Sequence, residues 1–144
     1  MHRLFVFGTL KRGFPLHDRA LAGSVCRGSY RTSERFPLLV AGEWFAPMMM
    51  NEPGIGHHVL GELYEIEGRR LKLVDEMESV GIPGHFRTLI SVAPVCGGVA
   101  CLANVYMKSR DLAVPVHTPY LSEYRDRRFI APEHRPKCRG SGTA

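Results

Sequence analysis

No stretch of this 144-residue chain approaches the roughly 18 consecutive apolar residues of a membrane span, so no bilayer-crossing helix is expected. Internal repeats and linker-like breaks in composition are also missing, which points to a single domain. Cysteine is scarce: Cys26, Cys96, Cys101 and Cys138 show no paired-ligand spacing. Cys96 and Cys101 would point to opposite faces of a regular strand, and all four are read as free buried thiols. The histidines include the neighbours His57 and His58, but no His-x-Glu or His-x₃-His pair, so no metal is expected. Pro53-Gly54-Ile55-Gly56 lacks both the third glycine and the strand-then-helix context of a dinucleotide loop, and no cofactor is expected. Helix-turn-helix, zinc-finger and RNA-recognition signatures are absent. The net charge of +5 owes much to Arg125, Arg127, Arg128, Arg135, Lys137 and Arg139, which read as a solvated basic end and not a nucleic-acid surface.

What is present is an ordinary globular composition, 44% hydrophobic and 23% charged. Met1-His2-Arg3-Leu4-Phe5-Val6-Phe7 starts basic and turns apolar, yet stops at Gly8 ahead of Lys11 and Arg12, too short for a secretory core. A buried first strand over residues 4–7 and a cytosolic protein are expected. Further strands are expected at 36–41, 59–66, 86–92 and 99–107, with Gly97-Gly98 turning the last two into an antiparallel pair. A short helix fits around residues 17–21, and one long helix runs from 67 or 68 to 79. Residues 47–56 read as a loop because of Pro47, Pro53, Gly54 and Gly56. A last turn or helix is placed around 118–127. From Ala131 onward, Pro132, Pro136 and Gly140-Ser141-Gly142 suggest a tail with little packing.

The long helix carries the sharpest signal. At about 100° per residue, Leu71, Leu73, Val74 and Met77 form one apolar arc, and Lys72, Asp75 and Glu76 lie opposite. Glu78 falls within about 20° of Leu71 and about 40° of Val74, making it the one carboxylate on the apolar face. Either the helix frays and Glu78 turns to water, or the group is buried for a purpose. Burial would raise its pKa toward neutrality, where a carboxylate can take up and return protons, and Asp75 would push the same way. The second signal is the loop Phe7-Gly8-Thr9-Leu10 after the first strand. Gly8 permits positive φ and close approach of a ligand, successive N–H groups can converge on an anion, and Thr9 adds a hydroxyl. Most strand-Gly-Thr turns only turn the chain. Met48-Met49-Met50 and Trp44-Phe45 suit core or lid packing, or the wall of an apolar pocket.

Phe5-Val6-Phe7-Gly8-Thr9-Leu10, Gly61-Glu62-Leu63-Tyr64, Asp75-Glu76-Met77-Glu78-Ser79, Phe86-Arg87-Thr88 and Val105-Tyr106 occur in an order and spacing that resembles the γ-glutamyl cyclotransferase family. The stretches Phe36-Pro37-Leu38, Ala41-Gly42-Glu43 and Pro53-Gly54 resemble the branch that acts on γ-glutamylamines. The resemblance covers about residues 3–107, with a weaker echo at Tyr120. It implies an α+β fold, a small, mostly antiparallel β-barrel flanked by helices, as a domain over 1–130 followed by a weakly structured basic tail over 131–144. It implies attack of the γ-glutamyl α-amine on its own side-chain amide, giving 5-oxoproline and a free amine. Glu78 would be the catalytic proton carrier, and Phe7, Gly8, Thr9 and Leu10 would bind substrate, with Tyr106 and Tyr120 as further pocket candidates. No cofactor, metal, nucleic acid or membrane is implied, and the partner is a small γ-glutamyl compound. Two positions depart from the pattern: Phe7 replaces the usual tyrosine, and residues 80–85 could shape a different leaving-group pocket. A non-catalytic binding module on the same fold, or removal of a γ-glutamyl protecting group in biosynthesis, are the alternatives.

Overall fold

The computed structural model describes residues 1–136. Five strands close into a barrel in the order β1 (His2–Val6), β5 (His57–Ile66), β2 (Val25–Phe36), β6 (His85–Pro94) and β7 (Cys101–Lys108). Every ladder is antiparallel except the seam, where β1 meets β7 in parallel through Leu4 opposite Asn104. A separate hairpin pairs β3 (Leu38–Ala41) with β4 (Ala46–Met49). Helices α1 (His17–Leu21) and α2 (Gly68–Met77) complete the regular elements, with 3₁₀ turns at Arg110–Leu112 and Pro132–His134. The expected class, a small and mostly antiparallel barrel with flanking helices, is observed.

Alternation along the strands separates two cores. Phe5, Leu63, Val105 and Met107 belong to a cluster with Phe36, Val59, Val92 and the hairpin residues Leu38, Val40 and Met49. Leu4, Val6, Tyr64 and Tyr106 belong to another, packed with Leu16, Ala20 and Leu21 around α1 and with Leu71 and Val74 of α2. Strand β1 thus has apolar partners on both faces, which is why it reads as an unbroken apolar run.

Several expectations needed correction. Strand β2 was not foreseen, because only Thr32 and Phe36 in it are buried and its other residues face water or the rim. The expected strand over 36–41 is two elements: Pro37 has no N–H to give a ladder, so β2 ends at Phe36 and β3 begins at Leu38. Residues 47–49, read as the start of a loop, belong to β4. Pro47 is tolerated there because its partner Val40 needs no donor from it: Val40 O accepts from His117 N at 2.9 Å, and Val40 N donates to Thr118 Oγ1 at 3.0 Å. The segment over 118–127 is not a helix. Its backbone serves β3 instead: Leu121 N donates to Leu38 O at 2.7 Å, and just before it His117 N donates to Val40 O at 2.9 Å. Residues 131–136, placed in a loose tail by composition, carry a buried Ala131 and the 3₁₀ turn. Residues 137–144, with Cys138, lie outside the described residues. Cys26, Cys96 and Cys101 are free thiols, but Cys96 is exposed and the other two only partly buried.

Candidate active site

A cavity of about 350 Å³ opens where several pieces of chain meet: the loop after β1, the C-terminus of α2, the ends of β6 and β7, the β3–β4 hairpin, the segment with Leu112 and Val114, and the segment that includes Phe129 and Arg135. Phe7, Gly8, Thr9, Leu10, Glu78 and Tyr106 all line it. Tyr120 does not. It packs beside Leu39, Met48 and Met50, and its hydroxyl accepts from Arg110 at 2.9 Å, on the other side of the hairpin.

The loop after β1 holds its carbonyls inward and leaves its amides unused. Gly8 O accepts from Lys11 N, Thr9 O accepts from Leu16 N, both at 3.0 Å, and Leu10 O lies 2.9 Å from His17 Nδ1. The N–H groups of Gly8, Thr9 and Leu10 donate to no group among the described residues, so they are available to an anion in the cavity. Lys11 anchors the loop from behind, its ammonium donating to Tyr124 O at 2.9 Å; burial lowers its pKa. The role expected for Gly8 changes in one respect. It is not among the positive-φ glycines. Glycine is needed because a Cβ here would come within 2.6 Å of Pro47 Cγ on β4. Gly8→Ala must therefore push the hairpin from the loop, and we expect about a tenfold or greater loss of kcat/KM from the resulting misplacement. The melting temperature should fall as well, since the Pro47 ring is fixed to the paired β4 backbone and cannot swing aside; an unchanged kcat/KM would contradict this.

Glu78 is the C-cap of α2. Its N–H closes the helix on Val74 O at 2.9 Å, and Ser79, at φ 61°, turns the chain away. The helix ends here because the left-handed residue breaks the ladder, and the cap position directs the Glu78 side chain into the cavity. Its carboxyl makes no hydrogen bond or ion pair among the described residues. Burial raises its pKa above the usual value near 4.5, and the ammonium of Lys108 partly opposes the rise. The expected push from Asp75 is not what acts. Asp75 is clamped by Arg87 through Nε to Oδ1 at 2.8 Å and a second bond to Oδ2 at 3.2 Å, and it accepts the Tyr106 hydroxyl proton at 2.7 Å. Burial and that hydrogen bond raise the pKa of Tyr106, which presents its ring to the cavity while its proton is committed to Asp75. Leu73, placed on the apolar arc by periodicity, is exposed, because α2 buries only Leu71 and Val74 fully.

Two cations and a histidine were not legible as a group. His85 and Lys108 are cross-strand partners on β6 and β7, and Lys108 Nζ lies 3.2 Å from His85 Nδ1. Burial, then the Lys108 charge, lowers the pKa of His85 and favours its neutral form. Of the segment expected to shape the leaving-group pocket, 80–85, only His85 reaches the cavity. Arg135 enters from the supposed tail, and Glu43, Trp44 and Met48 enter from the hairpin. No local pattern could have found Lys108 or Arg135, since strand pairing and chain return bring them in.

The small barrel thus opens on one cavity lined by both the buried Glu78 carboxyl and the loop whose backbone amides are unused among the described residues. The chain belongs to the gamma-glutamyl cyclotransferase, AIG2-like family, whose match spans residues 4–126. The gamma-glutamylaminecyclotransferase of Bos taurus is 41% identical over 128 residues, covering 84% of this chain and 74% of that protein. The Homo sapiens protein of the same name is 42% identical over 83 residues, a match spanning 55% of this chain and 54% of its own length. A crystal structure of an AIG2-like protein from Mus musculus superposes with a TM-score of 0.81 at 32% identity, covering 94% of this chain and 99% of that one.

Proposed function

We propose that this protein is a γ-glutamyl cyclotransferase acting on γ-glutamylamines, with Glu78 as its proton carrier. The observation that carries the reading is the pairing, in one cavity, of a desolvated carboxyl with the unused amides of Gly8, Thr9 and Leu10. The identity to relatives named gamma-glutamylaminecyclotransferase supports the same substrate class. Residues 1–130 form the catalytic domain in this reading. Free thiols at Cys26, Cys96 and Cys101 suit a reducing compartment such as the cytosol.

The chemistry needs little beyond position and proton management. A γ-glutamyl amide carries its own nucleophile, so folding it into a ring-like pose replaces a second reactant. Its α-amine has an ordinary pKa of about 8 and is mostly protonated at neutral pH. Glu78 removes one proton, and the amine nitrogen then attacks the side-chain carbonyl carbon. The C–N bond to the leaving amine breaks as Glu78 returns the proton to that nitrogen, and the second proton shed by the attacking nitrogen as it becomes the lactam N–H follows the same route, so the amine departs as an ammonium. The products are 5-oxoproline and the free amine, with no water consumed. A carboxyl whose pKa is raised by burial is better matched to an amine than an exposed one, which favours both transfers. The loop amides take up negative charge on the substrate, and Lys108 keeps Glu78 ionisable. Phe7 lacks the hydroxyl of the family's usual tyrosine, which this scheme does not use.

The test is 5-oxoproline release from Nε-(γ-glutamyl)lysine, γ-glutamylputrescine, γ-glutamylalanine and glutathione. Turnover of the γ-glutamylamines ahead of the two γ-glutamyl α-amino-acid compounds is expected. Folded protein that releases 5-oxoproline from none of the four would refute the reading.

A further inference from the structure

Nothing among the described residues bonds the Glu78 carboxyl, so its place in the cavity is set by the turn that carries it. That turn is closed at both ends of a helix cap. Val80 N donates to Asp75 O at 3.0 Å and Ser79 N to Glu76 O at 3.1 Å, with Ser79 in the left-handed region. Leu71 and Val74 seat the helix on the barrel before the cap, and beyond them only the partly buried Met77 adds apolar contact. The Asp75 side chain supplies the polar anchor, with two bonds from Arg87 and one from Tyr106.

Arg87 spends its remaining nitrogen in the opposite direction. Nη1 donates to Asn104 Oδ1, and Asn104 Nδ2 donates to Arg3 O at 2.9 Å. A guanidinium only donates and a carbonyl only accepts, so one orientation of the Asn104 amide serves both. Asn104 is buried and stands opposite Leu4 at the parallel seam where β1 meets β7. Arg3 lies in β1, the strand that runs into the loop of free amides. Asp75, Arg87, Asn104 and Arg3 O therefore join the Glu78 turn to β1 in one chain of bonds. Neither Arg87 nor Asp75 is among the residues lining the cavity. Their side chains are 29% and 20% exposed, and an ion pair that reaches water contributes modestly to stability. Its geometry is the stronger asset: a planar fork with all three nitrogens committed has one arrangement, which a lysine cannot reproduce.

We propose that Arg87 is a positioning residue, which sets the Glu78 turn against the loop of Gly8, Thr9 and Leu10 by holding Asp75 on one side and, through Asn104, β1 on the other. This rests on the cyclotransferase reading above. Substrate held by the loop amides follows the loop, whereas the proton carrier follows α2. A relative slip of about 1 Å between them leaves binding intact and costs on the order of 100-fold in proton transfer.

The test compares Arg87→Met, Arg87→Lys and Asp75→Asn in 5-oxoproline release from Nε-(γ-glutamyl)lysine. Arg87→Met should lower kcat about 100-fold with KM changed less than about threefold, and its melting temperature should fall only slightly. Arg87→Lys should lose nearly as much, because it keeps the charge but cannot bridge Asp75 and Asn104. Asp75→Asn keeps an acceptor for Tyr106 and should lose about tenfold. Unchanged kcat in folded Arg87→Met overturns the proposal, as does a rise in KM at constant kcat, which would make Arg87 a binding residue. Should Arg87→Met fail to fold, Arg87→Lys carries the same comparison. Backbone amide NMR shifts give a readout that needs no turnover. In the Arg87 variant both Val80 and the Gly8, Thr9 and Leu10 amides should move while those of β2 stay, and movement at Val80 alone overturns the link to β1. Absence of 5-oxoproline release by the unaltered protein overturns the cyclotransferase reading itself, and the amide shifts still decide whether Arg87 couples the two segments.

Discussion

Glu78→Gln should abolish 5-oxoproline release while leaving a protein that is folded and more stable at neutral pH. Glutamine keeps the size of the side chain and removes the only group in the cavity's reaction zone with a raised carboxyl pKa, so the loss should be about 10²- to 10⁴-fold in kcat. Glu76→Gln, one turn-face away on the exposed side of α2, is the control and should retain full turnover. The stability change follows from the direction of the pKa shift. Because burial raises the pKa of Glu78 above the usual value near 4.5, the native state holds this proton more tightly than the unfolded chain does. Its contribution is therefore fully present at pH below that value and declines as pH rises toward the raised native pKa. Glutamine has no proton to lose. At pH 7 the variant should melt at a higher temperature than the unaltered protein, and the difference should vanish near pH 4. Melting curves at the two pH values check this; a variant that melts lower at pH 7 would show that Glu78 is stabilised in place as a carboxylate, against the desolvation argued here.

Gly61→Ala should have the largest effect on stability. Gly61 lies in β5 where β1 crosses closest, and a Cβ there would sit 2.4 Å from Val6 O and 2.7 Å from the Phe5 ring. The first obstacle is backbone in a paired strand and the second is a ring buried at 1% exposure, so neither can move aside cheaply. Opening this contact separates β1 from β5 next to the loop that holds Gly8 to Leu10. We expect a loss of about 3 kcal/mol, at the upper end of overpacking costs, and a fall in melting temperature of about 10 °C. Activity should fall with it, because Val6 sets where the loop begins. A change of less than about 1 kcal/mol by chemical denaturation would mean that the two strands tolerate separation.

The site was more legible than the barrel around it. Helix α2 was located to within two residues and Glu78 was singled out, because a carboxylate between Leu71 and Val74 is a contradiction that a single turn of helix exposes. The β6–β7 hairpin was equally plain, since Gly97-Gly98 sits between two apolar runs. Strand β2 was invisible for the opposite reason: it is held by ladders to β5 and β6, not by its own apolar pattern. Residues 118–127, read as a last turn or helix, are neither, and no local pattern reveals that β3 takes backbone hydrogen bonds from this segment. Tyr120, a pocket candidate on the weaker echo of the family resemblance, belongs instead with Arg110 and Glu52 outside the cavity.

The sequence by itself determined what periodicity over a few residues can encode: the two-sided burial of β1, the helix that delivers Glu78, and the glycine-bearing loop opposite it. Only the tertiary structure decided which groups surround that carboxyl. Lys108 and His85 meet because β6 and β7 pair in one register, Asp75 is claimed by Arg87 and Tyr106 across the barrel wall, and Arg135 arrives when the chain returns over Trp44. These contacts join residues distant in sequence, and their geometry follows from barrel closure and chain return, to which no local pattern of side chains is sensitive.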